Sequence, residues 1–272
     1  MCADRKDDDL MSNLCIQNHS AVISFQSIAR LAETTRQDHI HLEPNTIHLW
    51  GIALDGSSHC LTKCREWLDE RERDRAARLV RAEDRERYVF AHGGLRAVLS
   101  RYLGVGPDVV GFDHGKSGKP MLAKELRDPS AITFNLSHAH GRALIAVSRA
   151  QEIGVDLEPV RSEVPVENLS RRFFSHSEHT MIMQSAPEQR TAIFFRYWVV
   201  KEALLKAQGV GLRGLSDCEI FLEGDRVDTE VQTRLGSQFT NPWRVRLLPC
   251  EKGWEAAVAA PRLDSVQQCG VE

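Results

Sequence analysis

No CxxC pair occurs among the seven cysteines of this 272-residue chain, which are odd in number and scattered, with Cys60 and Cys64 the only close pair. Neither a disulfide framework nor a zinc site is signalled, and a reducing cytoplasm is the expected location. No apolar run approaches the roughly 20 residues of a membrane span. The acidic Asp7-Asp8-Asp9 stands where a secretory signal would need a basic and then an apolar stretch. No membrane partner is expected. Nor is there an excess of positive charge: 35 Lys+Arg against 38 Asp+Glu leaves a net −3. That balance argues against a protein held to nucleic acid by overall charge, although arginines cluster between Arg65 and Arg101.

Several catalytic signatures are missing as well. Without a GxSxG elbow, the adjacent Ser137 and His138 do not read as a nucleophile pair, since neighbours on a strand point to opposite faces. Gly111-Phe112-Asp113-His114-Gly115-Lys116-Ser117 imitates a phosphate loop but has three residues between its glycines instead of four. Gly118 and Pro120 then prevent the helix that should follow. His138 with His140, and His176 with His179, lack a third ligand at zinc spacing.

What is present is an ordinary globular composition, 42% hydrophobic and 27% charged, enough for one large domain or two small ones. Residues 1 to about 44 lack strong periodicity apart from a short amphipathic stretch at Val22 to Leu31, and are expected to lie outside the main fold. Strands are expected at Ile47 to Leu54, Ala131 to Leu136, Ala143 to Ser148, Ile153 to Glu158, Glu219 to Leu222, Trp243 to Leu248 and Trp254 to Ala259. The four-residue link between Ala143–Ser148 and Ile153–Glu158 suggests a hairpin. Arg65 to Val80 reads as an arginine-rich helix or helical loop. Asp84 to Leu103 is a long amphipathic helix ending at Gly104, and Gly93-Gly94 inside it marks a close contact with a neighbour or ligand. Ser185-Ala186-Pro187-Glu188 has the form of a capping box opening a second long helix that ends at Gly209. Strand, long helix and strands thus occur twice, which predicts an α+β fold of two similar halves.

Chemistry concentrates in two stretches. In Gly154-Val155-Asp156-Leu157-Glu158 the alternation of a half-buried strand sends both carboxylates to one face. In Trp198-Val199-Val200-Lys201-Glu202-Ala203-Leu204-Leu205-Lys206, Glu202 and Lys206 stand four apart on one helix face. If strand and helix pack together, three carboxylates and one or two lysines converge, a set suited to Mg2+ and a pyrophosphate bound to it.

Together with Gly118-Lys119-Pro120, Phe134-Asn135-Leu136-Ser137-His138 and Arg172-Phe173-Phe174-Ser175 with Glu178, these motifs resemble the 4'-phosphopantetheinyl transferases, in particular the longer, pseudo-dimeric Sfp-type members. The resemblance runs from about 47 to 260. It implies two α/β halves, each a small, mostly antiparallel sheet on a long helix, with the active site in the cleft between them. Residues 45–150 would be the coenzyme A half and 151–262 the metal and catalytic half, flanked by an extension over 1–44 and a tail over 263–272. It implies transfer of the phosphopantetheine arm of coenzyme A to a serine of an apo acyl or peptidyl carrier protein, releasing adenosine 3',5'-bisphosphate. Asp156, Glu158 and Glu202 would hold Mg2+, or Mn2+ in its place. Glu202 would also act as base and Lys206 would contact the pyrophosphate. Lys119, Pro120, Ser137 and His138 would bind coenzyme A, with Arg75 and Arg78 among the basic residues near its 3'-phosphate. Lys201 reads either as a phosphate contact or as a solvated helix position. A monomer is expected, because one chain supplies both halves. The alternatives are another Mg2+-dependent enzyme acting on a nucleotide pyrophosphate, and a carrier-binding module without turnover.

Overall fold

The computed structural model describes residues 15–16, 22–33, 39–115, 118–211, 214–222, 230–235 and 243–270; Lys116 and Ser117 of the loop discussed above lie outside that range. The strands are β1 (Cys15–Ile16), β2 (Gln26–Ser27), β3 (Thr46–Ala53), β4 (Phe112–His114), β5 (Pro120–Leu122), β6 (Ile132–Ala139), β7 (Arg142–Arg149), β8 (Gly154–Pro159), β9 (Cys218–Phe221), β10 (Glu230–Leu235), β11 (Arg244–Leu248), β12 (Trp254–Ala260) and β13 (Ser265–Cys269). The helices are α1 (Ile28–Glu33), α2 (Ser58–Trp67), α3 (Glu70–Ala77), α4 (Ala82–Leu103), α5 (Lys124–Ser130), α6 (Val166–Phe173), α7 (His176–Gln184) and α8 (Arg190–Gln208). Among these residues no helix is long and apolar enough to cross a membrane.

One sheet runs β1-β13-β3-β7-β6 with β2 added beside β3, and a second runs β8-β12-β11-β10-β9. The period of two along each strand decides what faces what. Trp50, Ile52, Ile145 and Val147 turn toward Leu95, Val98 and Leu99 of α4. The alternate residues Ile47, Leu49, Leu144 and Ala146 meet Val155, Leu157, Ala256 and Val258 of the second sheet. On that sheet's far face Ala257, Ala259 and Val245 receive Val199, Val200, Ala203 and Leu204 of α8. The molecule is therefore mixed α+β, layered helix, sheet, sheet, helix.

Gly104 and Gly209 end α4 and α8 in the left-handed region, as their sequence suggests. A side chain on Gly93 would come within 2.6 Å of Cys64 Cβ, so the glycine pair lets α2 pack closely on α4. Other local expectations change. Arg65 to Val80 contains the end of α2 and a separate α3, divided at Asp69, whose side chain forms a capping box with Glu72. Ser185 closes α7 rather than opening α8, and the capping box in this region is Ser175 with Glu178. β7 and β8 do not form a hairpin: β7 pairs with β3 and β6, whereas β8 pairs with β12 in the other sheet. Their short link, containing Ala150 at φ 58, carries the chain from one sheet to the other.

Described residues near both ends of the chain join the core. Ile28 and Leu31 pack with α4, and β2 pairs with β3. Removing residues 1–40 would strip the buried side chains of Ile23, Ile28 and Leu31, worth ~1.5–3 kcal/mol each, against a typical total stability of ~5–15 kcal/mol. Ser265–Cys269, expected in a tail, runs parallel to β3. Cys269 is disulfide-bonded, although the cysteine spacing signalled no disulfide.

The Lys201 side chain is 0% exposed and turned into the core. Its ammonium pairs with Glu178 at 2.9 Å and donates to the carbonyls of Leu215, at 2.8 Å, and Cys218. All three protons are used, which leaves none for a phosphate. Glu178 in turn accepts from Ser175 N and Ile220 N. This pair ties α7, α8 and β9 together, so neither a cofactor contact nor a solvated position describes Lys201.

Two consequences can be measured. Lys201→Met leaves a buried carboxylate without its cation and is expected to destabilise the fold by ~3–5 kcal/mol, with Lys201→Met/Glu178→Gln recovering part of the loss. A single variant with an unchanged denaturation midpoint would contradict the pair's role. Gly154→Ala should cost at least the ~1–3 kcal/mol of core overpacking, because its Cβ would lie 2.0 Å from the Ala203 carbonyl oxygen. Thermal unfolding at wild-type temperature would rule out that contact.

Candidate active site

The site begins with the absence of a side chain at Gly154. A Cβ there would lie 2.0 Å from Ala203 O and 2.4 Å from Ala207 N, so only glycine lets the backbone of β8 rest on α8. With the apolar face of β8 turned to the other sheet, Asp156 and Glu158 are presented toward α8. There Glu202 and Lys206 share a face, as their spacing predicts.

Asp156 is 2% exposed. Its Oδ1 accepts from Lys206 Nζ at 2.6 Å and from Ser137 Oγ at 2.8 Å. Its Oδ2 is buried with no protein partner. Burial, then the charge of Asp156, raises the Glu158 carboxyl to about 7, with Arg161 and Lys206 opposing the shift. Burial and Asp156 likewise raise Glu202 to about 7, against Lys206 and with Glu158 adding to the rise. These three acids repel one another, and Lys206, with Arg161 beside Glu158, offsets only part of that.

A divalent cation fits this donor set on chemistry: three hard oxygen ligands, one orphaned buried oxygen atom, and mutual repulsion that a positive ion would relieve. Among the described residues, however, no three His, Cys, Asp or Glu side chains are already closed around a metal-sized point. Lys206 occupies Asp156 Oδ1 instead.

Beside β6, on the side away from Asp156, lies a 740 Å³ cavity. Arg75, Arg78, Pro120 and His138, all expected at coenzyme A, line it, and so do Arg71, Tyr88 and His92. Arg71, Arg75 and Arg78 are exposed on the α3 side. His138 is exposed to solvent in the open cavity, while the protein atoms packed round its ring, then His92 and Lys206, push its pKa below the ordinary histidine value, so it faces the cavity as a neutral ring at pH 7.

His92 stacks on Tyr88 with ring centroids 4.0 Å apart, and its Nδ1 lies 2.9 Å from Glu72 Oε1. Burial alone would raise the Glu72 carboxyl, but the bond and charge of His92, with Arg96, outweigh it and hold the group below its ordinary value. Glu72 is thus an acceptor, and His92 Nδ1 is the donor. Glu72, which also lines the cavity, is the acidic anchor of buried Arg96, which reaches Asp69 as well. His92 was not singled out from sequence. The available signal was its spacing, four residues after Tyr88 and four before Arg96.

Two expected coenzyme A contacts are otherwise engaged. Lys119 Nζ donates to Glu152 at 2.7 Å, Ile153 O at 3.1 Å and Ala207 O at 3.2 Å, which binds its loop to the C-terminal turn of α8. Ser137, on the opposite face of β6 from His138, belongs with Asp156 and Lys206.

A family model described as the 4'-phosphopantetheinyl transferase superfamily matches residues 152–259, and one described as 4'-phosphopantetheinyl transferase, N-terminal, matches residues 55–150. The 4'-phosphopantetheinyl transferase HetI of Nostoc sp. is 42% identical over 176 residues, covering 65% of this chain and 74% of that protein. The 4'-phosphopantetheinyl transferase Sfp of Bacillus subtilis is 27% identical over 219 residues, covering 79% and 93%. Holo-[acyl-carrier-protein] synthase of Thermotoga maritima superposes with a TM-score of 0.32 at 23% identity over 40% of this chain and 61% of that one, too loosely to weigh further. With 42% identity across nearly three quarters of HetI, and family models matching residues 55–150 and 152–259, this chain belongs to the 4'-phosphopantetheinyl transferase superfamily.

Proposed function

We propose that this protein transfers the 4'-phosphopantetheine group of coenzyme A to a serine hydroxyl of an apo acyl or peptidyl carrier protein, acting as a monomer with its site between two pseudo-symmetric halves, 45–150 and 151–262. The observation that carries the reading is the meeting of Asp156, Glu158, Glu202 and Lys206 where β8 rests on α8 through Gly154, in a chain of this family.

The carrier serine oxygen attacks the phosphorus that bears the pantetheine arm. A new P–O bond forms, the bond to the bridging pyrophosphate oxygen breaks, and adenosine 3',5'-bisphosphate leaves with the electron pair. Glu202 takes the serine proton, directly or through water; burial and Asp156 raise its carboxyl to about 7 before a cation binds, and a bound cation would favour the carboxylate form that accepts the proton. Lys206, 28% exposed, is able to turn from Asp156 Oδ1 to the pyrophosphate. Asp156, Glu158 and Glu202 would hold Mg2+ or Mn2+, which when bound offsets pyrophosphate charge. The cavity beside β6 receives the nucleotide end, with Arg75 and Arg78 at its rim, Pro120 in its wall and neutral His138 against it. The exposed arginines also suit an acidic carrier surface. Neither nucleic acid nor a membrane has a part in the reading.

Intact mass spectrometry of an apo carrier protein incubated with this protein, Mg2+ and coenzyme A should show addition of the phosphopantetheine mass, lost with excess EDTA. Glu202→Gln should lower turnover at least ~100-fold. An unmodified carrier under all conditions, or wild-type turnover by the variant, would refute the respective assignment.

A second outcome follows from proton linkage. Without metal, Glu158 and Glu202 titrate near 7 in the fold against an ordinary 4.5. The native state binds more protons between those values, so their contribution is fully present below about pH 4.5 and lost as pH rises through 7. Mg2+ should then raise the melting temperature more at pH 8 than at pH 5. An equal shift at both pH values would show that these carboxylates do not meet the ion.

A further inference from the structure

β6 and β8 are edge strands of different sheets, yet they run side by side. Three alternate residues of β6, Thr133, Asn135 and Ser137, bond backbone at β8 or just before it. Thr133 Oγ1 donates to Gln151 O, Asn135 Oδ1 accepts Val155 N at 2.9 Å, and Ser137 Oγ accepts Leu157 N at 3.3 Å. The period of two on β6 matches the spacing of the two amides on β8. Side chains here replace the ladder that the backbones do not form.

Ser137 has one hydroxyl proton and two acceptor sites. The proton goes to Asp156 Oδ1 at 2.8 Å, and the acceptors take Leu157 N at 3.3 Å and Lys206 Nζ at 3.1 Å. Nothing remains for a coenzyme A phosphate. Held through Oδ1, the Asp156 carboxylate keeps Oδ2 buried and unpartnered.

We infer that Asn135 and Ser137 are positioning residues: they hold the carboxylate strand β8 in register, and Ser137 sets the rotation of Asp156 so that Oδ2 is kept for a cation. The inference deepens the metal assignment proposed above and rests on it.

The test is titration of the full-length protein with Mn2+ alone, following loss of the free-ion paramagnetic resonance signal, beside a separate coenzyme A titration without metal. Ser137→Ala should weaken Mn2+ binding ~10–100-fold, the usual cost of removing a group that orients a metal ligand, while coenzyme A affinity stays within about twofold of wild type. Asn135→Ala, which frees Val155 N, should weaken Mn2+ in the same direction and serves if Ser137→Ala does not fold. Weaker coenzyme A binding with Mn2+ affinity intact would overturn the inference and make Ser137 a phosphate contact, and unchanged binding of both would overturn it too. Failure of the wild-type protein to bind Mn2+ would remove the metal assignment itself, an outcome distinct from a loss confined to the variants.

Discussion

The contact on which the rest depends is backbone against backbone: Gly154 of β8 against Ala203 and Ala207 of α8, closer than any side chain permits. Strand and helix could pack through side chains at an ordinary spacing of ~10 Å, but a carboxylate on the strand would then stand too far from one on the helix to share an ion. Removing one Cβ brings Asp156 to 2.6 Å from Lys206. It also places Glu202 within the field of Asp156 and Glu158, which with burial raises its carboxyl to about 7. Packing and electrostatics are here one arrangement: the approach that buries Val199, Val200 and Ala203 also gathers like charges that stay partly protonated without a cation.

β6 stands between two polar environments, one an acidic cluster and the other a cavity lined by Glu70, Glu72 and Asp74 as well as by Arg71, Arg75 and Arg78. On one side Ser137 serves an acidic set with one lysine. On the other His138 looks into a cavity with arginines at its rim. One strand serves both because adjacent residues point to opposite faces. In the proposed reaction this divides the work: the acidic side handles proton and pyrophosphate, and the cavity holds the nucleotide. Around both, fully paired buried charges supply rigidity. Lys201 with Glu178 fixes the loop after α8, and Arg96 with Glu72 and Asp69 fixes α3 to α4. Each is costly to break, because removing one member strands the other away from water.

Much of the fold was legible because periodicity and end signals are local. The alternation in β3, β7, β8 and β12 and the glycine ends of α4 and α8 are written in neighbouring residues. Errors arose where two local signals competed or a partner was distant. Ser185 has the form of a helix start yet closes α7. The short link between β7 and β8 suggests a hairpin, but β12 provides β8 with a partner of matching register about a hundred residues later. Val22 to Leu31 reads as a short amphipathic stretch outside the main fold, yet Ile28 and Leu31 pack with α4 and β2 pairs with β3.

The candidate site divides along the same line. By itself the sequence determined the chemical inventory and its local facing: Asp156 and Glu158 on one side of a strand, Glu202 and Lys206 on one side of a helix, Ser137 and His138 on opposite sides. Those follow from periods of 2.0 and 3.6 residues. Tertiary structure decided which of the remaining polar groups are free to act. Lys201 is one residue from Glu202 and Lys119 one from Pro120, yet both ammonium groups are spent on protein acceptors. Ser137 is spent on Asp156, while His92, unremarked in the sequence, opens onto the cavity. A side chain's availability depends on whether distant backbone or carboxylates have already satisfied its hydrogen bonds, and that is a property of the packed molecule.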